Sequence, residues 1–123
     1  MPSRPKYLNL LQIRLPLPAM ISIMHRVSGA VLFLALPLLL WSLQQSLTSG
    51  HTFANFQEMF SYWPVKLVMI GLLWGYLHHL CAGIRHVVMD LHYGLELKTV
   101  RLTSKLVLVV SIALTAIIGA LLW

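Results

Sequence analysis

Residues 65–89 read VKLVMIGLLWGYLHHLCAGIRHVVM, an apolar run broken by only a few polar side chains. A helix needs about 20 apolar residues to cross a ~30 Å hydrocarbon layer, and this run has that length. Three of its residues and a neighbour share a pattern. His79, Gly83, His86 and Asp90 follow in steps of four, three and four. At ~100° per residue those steps keep all four within an arc of roughly 60° on one helix face. Imidazole and carboxylate groups are costly in hydrocarbon, so their presence there marks a functional face.

The rest of the chain follows the same composition. Of 123 residues, 59% are hydrophobic and 10% charged, against roughly 25% charged in a soluble domain. Too few polar residues remain to cover a water-facing surface, so the expectation is an all-α integral membrane protein. Residues 1–123 read as one transmembrane domain with spans at about 21–47, 63–89 and 104–123. Pro16 and Pro18 suit the first turn of span one, and Pro37 lies inside it. Pro64 suits the opening of span two, with Ser61 as its cap. The segment 48–62 reads as a loop. No cleavable signal peptide is expected, because the first apolar run after Arg14 is too long for one.

Charge sets the expected orientation. Arg4, Lys6, Arg14 and Arg26 precede or open span one; Arg85, Lys98, Arg101 and Lys105 surround the junction of spans two and three; Lys66 alone lies near the 48–62 segment. The positive-inside rule then places the N-terminus in the cytoplasm and the C-terminus in the periplasm. The net charge of +6 comes from residues flanking apolar spans, which argues for lipid contact and against nucleic acid. Cys81, the single cysteine, cannot form an internal disulfide, and no Cys-x-x-Cys-His run exists for covalent haem attachment.

Two clusters can carry chemistry. Eleven residues from Asp90, at 1.5 Å each, put His79 roughly 16 Å deep. An imidazole there can ligate the iron of a flat cofactor such as haem, with Gly83 as clearance, or can bond a neighbouring helix or relay protons. His78, Arg85 and His92 form a second stripe, in which Arg85 either snorkels or pairs an anion. His86 and Asp90 stand at i, i+4 and can bond one another. The other cluster is Ser22-Ile-Met-His25-Arg26-Val-Ser28-Gly29 at the start of span one. Ser22 and Arg26 share a face with His25 beside it. These groups suit either a quinone head group, whose carbonyls need donors as they gain charge, or lipid phosphate with Ser22 as a helix cap. Gly71, Gly75 and Gly83 leave a groove that lets another helix or a cofactor approach, so a partner chain is expected.

Together, the Ser22–Gly29 cluster and the run His79-Leu-Cys-Ala-Gly83-Ile-Arg85-His86-Val-Val-Met-Asp90 resemble the two signatures of the large cytochrome b membrane-anchor subunit of succinate dehydrogenase, respiratory complex II. The N-terminal Arg4-Pro5, the length and the three spans agree. The resemblance covers essentially the whole chain and is of the proteobacterial type. It implies one haem b, with His79 as an axial ligand and the other ligand supplied by a smaller anchor subunit in a heterodimeric bundle. It implies a ubiquinone site lined by Ser22 and Arg26, with His25 between that site and the haem propionates. Arg26, Gly83, Arg85 and His86 would support the haem pocket, and Asp90 would be structural. The expected partners are the iron–sulfur and FAD-carrying flavoprotein subunits, and the expected location is the bacterial inner membrane. Such a chain is part of an enzyme rather than a complete one. Two rivals stand beside this reading: a fumarate-reductase-type anchor that oxidises quinol, and a small transport subunit that relays protons through His79, His86 and Asp90.

Overall fold

The computed structural model describes Arg4, Asn9 and residues 12–123; Pro5 and Lys6 of the sequence reading lie outside the described residues. Four helices follow in order: α1 (Leu17–Thr48), α2 (Gly50–Ser61), α3 (Trp63–Asp90) and α4 (Leu97–Leu122). Helices α1, α3 and α4 are each long and apolar enough to cross a membrane. In hydrocarbon, a backbone can satisfy its own polar groups only as helix or closed barrel, and these helices do so.

Each spanning helix is set by local chemistry. Pro16 caps α1 in an extended conformation and Pro18 sits in its first turn, where a missing N–H has no consequence. The helix therefore begins at Leu17, earlier than residue 21, and Ser22 lies inside it rather than capping it. It continues through Pro37 to Thr48. The cap of α3 is Tyr62, with no side-chain bond, and Pro64 follows within the first turn. Ser61 is not that cap; its hydroxyl donates to the Gln57 carbonyl at 3.0 Å. Helix α4 starts at Leu97 rather than residue 104, carrying Lys98, Arg101 and Lys105 within its first turns.

The 48–62 segment is helical, where the sequence reading expected a loop. Ser49 closes α1 and caps α2 at once. Its hydroxyl accepts from the Thr52 N–H at 3.2 Å, and its own N–H donates to Thr52 Oγ1 at 3.0 Å. This is a reciprocal capping box, with threonine in the place usually held by Glu or Gln. Phe53, Phe56 and Phe60 then stack along one side of α2, with ring centroids 6.5 and 4.4 Å apart.

The α3–α4 turn is tight. His92 (φ 66°) and Gly94 (φ 69°) both adopt left-handed backbone. This conformation comes most readily to glycine, with Asn, Asp and His next. His92 therefore leaves the His78–Arg85 stripe, because α3 has already ended at Asp90.

Helix α3 is central. It packs against α1, α2 and α4, while α1 also meets α4. The small core joins Ile21, Ala82 and Val107, with Leu17, Cys81 and Leu108 against it. Ser104, Ser111 and Thr115 are buried on α4. Each returns its hydroxyl to its own helix, at Val100, Leu108 and Ser111, so these small side chains allow close packing without an unpaired donor. Large apolar side chains such as Phe33, Leu34 and Leu121 are more than two-thirds exposed. That surface is suited to lipid and to other helices, not to water.

The capping box predicts the behaviour of α2. Ser49→Ala removes a cap worth about 1 kcal/mol. Amide hydrogen exchange across residues 50–61 in a lipid nanodisc should then quicken about fivefold, while α3 is unchanged. Unaltered protection would show that packing, not the cap, holds α2.

Candidate functional site

The antiparallel packing of α1 on α3 brings the two sequence clusters together. The His25 and His79 rings stack nearly parallel, with centroids 4.2 Å apart and planes 7° off. His86 stands beside them, 5.1 Å from the His25 centroid and tilted by 57°. Three imidazoles from two helices thus share one face of the bundle.

His79 is held in a defined state. Its Nδ1 lies 3.0 Å from the His25 carbonyl oxygen and 3.3 Å from Ser28 Oγ. Ser28 Oγ in turn donates to the same carbonyl at 2.9 Å. A carbonyl oxygen can only accept, so Nδ1 carries the proton and donates. In the neutral ring the lone pair then falls on Nε2, which makes no hydrogen bond among the described residues. A carbonyl that fixes one ring nitrogen while the other is free is the arrangement used to orient a metal-ligating histidine.

The rings fit because two glycines make room. A Cβ on Gly29 would lie 2.8 Å from His79 Cε1, too close for the ring to stay where it is. A Cβ on Gly83 would lie 3.4 Å from His25 Nε2. Gly83, read from sequence as clearance beside His79, thus borders the His25 ring, and the tight clearance for His79 is Gly29. Ser28 and Gly29 stood in the sequence cluster with no role. The signal that would have found them is their position, three and four residues after His25, on the flank of α1 that meets α3.

His78 and His79 part company. His78 is buried beside Trp74, with ring centroids 5.4 Å apart. Neither of its nitrogens has a hydrogen-bond partner among the described residues, although the Ile21 backbone lies nearby. His78, Trp74, Gly71 and Gly75 line a cleft of about 360 Å³ between α1 and α3. A Cβ at Gly71 or Gly75 would meet nothing within 4 Å, so this groove is open in the chain itself.

The remaining sequence-derived residues separate. Ser22 is half-buried and Arg26 exposed, near the start of α1; neither is hydrogen-bonded to another described residue. His86 and Asp90 form no bond to one another among the described residues, and Asp90 is exposed at the end of α3. Arg85 faces α4, on the second stripe of the sequence reading and away from His79. Its Nε donates to Thr103 Oγ1 at 3.1 Å and its Nη2 to the Val100 carbonyl at 3.4 Å, both on α4.

The donor set fits a cofactor that brings most of its own coordination. Among the described residues no three His, Cys, Asp or Glu side chains converge to hold a bare metal ion, whereas His79 offers one open nitrogen flanked by a flat ring and a glycine. A planar, iron-bearing group would need no more than one such nitrogen from this chain.

Residues 1–118 match the family model described as the succinate dehydrogenase/fumarate reductase transmembrane subunit. The chain is 35% identical over 122 residues to the succinate dehydrogenase cytochrome b556 subunit of Coxiella burnetii, covering 98% of this chain and 97% of that one. It is 33% identical to the subunit of the same name in Paracoccus denitrificans, covering 94% of this chain and 88% of the other. Similarity extends to the cytochrome b560 subunit of Reclinomonas americana, at 30% identity over 94% of this chain and 83% of that one. With three apolar spanning helices and relatives of this kind, the protein is a multi-pass component of the inner membrane. It belongs to the succinate dehydrogenase/fumarate reductase transmembrane subunit family.

Proposed function

We propose that this chain is the cytochrome b anchor of a succinate dehydrogenase. It would bind one haem b jointly with a second, smaller anchor subunit and help deliver electrons from succinate oxidation to ubiquinone. The observation that carries the reading is the His79 hydrogen bond: Nδ1 is committed to the His25 carbonyl, so Nε2 would be the atom to hold haem iron. Haem, when bound, supplies a one-electron centre inside the membrane. The chain contributes a fixed imidazole, a flat neighbour in His25 and clearance at Gly29. Among the described residues His79 alone has this arrangement, so a second histidine for the haem would come from the second anchor subunit.

Ser22 and Arg26 form the quinone end of the reading. They lie about one to two turns inside the start of α1, roughly 8–14 Å along the helix axis from Leu17. The quinone carbonyls gain negative charge as electrons arrive from the iron–sulfur subunit, and each takes up a proton. A hydroxyl and a guanidinium stabilise that charge. His25, between these residues and His79, is placed to serve either side. The flavoprotein and iron–sulfur subunits would dock at this end of the bundle, the cytoplasmic one by the positive-inside rule. The relatives described above are all named as succinate dehydrogenase subunits, which favours quinone reduction over the fumarate-reductase direction.

Three outcomes test this function. The reduced visible spectrum of the purified complex should lose its b-type bands in His79→Ala and keep them in His78→Ala; bands that survive His79→Ala would falsify the ligand assignment. Gly29→Ala should displace the His79 ring, altering the haem electron paramagnetic resonance signal and lowering haem retention. Gly71→Ala, which meets open space, is the control. For the quinone site, Ser22→Ala should lower succinate–ubiquinone activity about fivefold and Arg26→Leu about ten- to a hundredfold, the range for a neutral and a charged hydrogen bond. Succinate–dye activity should persist, and equal loss of both activities would point to failed assembly instead.

A further inference from the structure

Arg85 is 7% exposed, yet its two bonds run only to neutral oxygens, Thr103 Oγ1 and the Val100 carbonyl. A guanidinium offers five N–H donors, so those bonds leave most of its donors and all of its charge uncompensated. The chain has three acids, Glu58, Asp90 and Glu96. Among the described residues none pairs with Arg85. An unpaired cation held out of water is strongly unfavourable, and in a membrane protein it calls for an anion from outside the chain.

The shape beside it says which anion. Arg85 lines a cleft of about 390 Å³ between α3 and α4. Tyr93, Thr99 and Thr103 stand at the end near the α3–α4 turn; Ile84, Leu106 and Val110 line the rest. Arg85 lies about 8 Å along the helix from Asp90, half the depth of His79 and within reach of the head-group boundary for a long side chain. From Thr103 to Val110 the groove descends roughly 10 Å further along α4. Its lining is overwhelmingly apolar, with Arg85 and the hydroxyls confined to the end near the turn.

We propose that this groove seats a membrane phospholipid, its phosphate on Arg85 and an acyl chain along Ile84, Leu106 and Val110. Guanidinium and phosphate match in charge and in bidentate geometry, and Thr99 and Tyr93 supply further hydroxyls at the mouth. A carboxylate from a partner subunit would neutralise Arg85 equally well but would have no use for the apolar channel beneath it. An acyl chain fills that channel. The lipid would wedge α3 against α4 on the side away from His79, so this site is distinct from the proposed haem face.

The test counts phospholipid retained by the whole detergent-purified complex, by lipid extraction and mass spectrometry normalised to this chain. Arg85→Met should lose one phospholipid relative to the parent. Val110→Trp, which fills the inner groove and leaves Arg85 and its bonds intact, should lose the same one. An unchanged count in either variant overturns the proposal, and Val110→Trp still decides the question if Arg85→Met does not assemble. Loss of the second anchor subunit from Arg85→Met at an unchanged lipid count would assign the anion to a protein carboxylate. Inorganic phosphate retained by the parent and by Val110→Trp alike, at an unchanged lipid count, would assign the site to the free ion; either result overturns a lipid seat.

Discussion

The hydrogen bond from His79 Nδ1 to the His25 carbonyl, 3.0 Å long and inside the membrane region, is the contact on which the rest of the site depends. A carbonyl already engaged in its own helix accepts a second bond, and Ser28 adds a third donor to the same oxygen. In a medium without water, such a bond is not exchanged for one to solvent, so its geometry is retained. It ties α3 to α1 at one height, fixes which imidazole nitrogen is free, and forces Gly29 to be glycine. The stacked His25 ring and the neighbouring His86 follow from that register.

The bundle around this contact is only partly self-sufficient. Its core consists of a few side chains about Ile21, Ala82 and Val107, and most of α1 is exposed along its length. For a water-soluble protein this would be a failed fold. In a membrane the driving force is different: helix contacts come from close packing and internal hydrogen bonds, while lipid or partner helices cover the remainder. Ser104, Ser111 and Thr115 illustrate this arrangement. Each is polar and buried, and each is satisfied within α4, so the close α3–α4 approach leaves no unpaired hydroxyl among them.

Much of this was legible in the sequence, for a physical reason. Hydropathy and length report directly on the cost of placing residues in hydrocarbon, so the three spans could be read to within a turn or so at most of their ends. The His79 stripe could be read because helical periodicity projects side chains onto faces. The features that escaped depend on other information. Helix α2 is set by a Ser49–Thr52 capping box that uses threonine in place of Glu or Gln, within a segment too short and too polar to register as a span. The early start of α4 escaped because Lys98, Arg101 and Lys105 end the apolar signal without ending the helix. Gly29 and Arg85 required knowledge of which helix faces which. Periodicity puts Gly83 on the His79 face, but only the α1–α3 register shows that Gly29 lies under the ring. Periodicity likewise set Arg85 on a stripe apart from His79, but only the position of α4 shows that Thr103 and Val100 receive it.

The polar groups of the spanning helices therefore sort by whether their partner lies within the chain. The α4 hydroxyls are closed internally. His79 is closed at Nδ1 and open at Nε2, a division that only an external Lewis acid or donor completes. Arg85 is closed toward Thr103 and Val100 in hydrogen bonds but open in charge. Trp74 and His78 keep nitrogens without a partner among the described residues, beside the cleft between α1 and α3. Random imperfections of packing would scatter such groups, and each would cost stability. Here they fall on separate faces with different chemistry: a neutral imidazole nitrogen beside flat clearance, and a cation above an apolar channel. A chain that leaves groups of such distinct kinds open has more than one external surface to match, and the bundle alone is only the inner part of each.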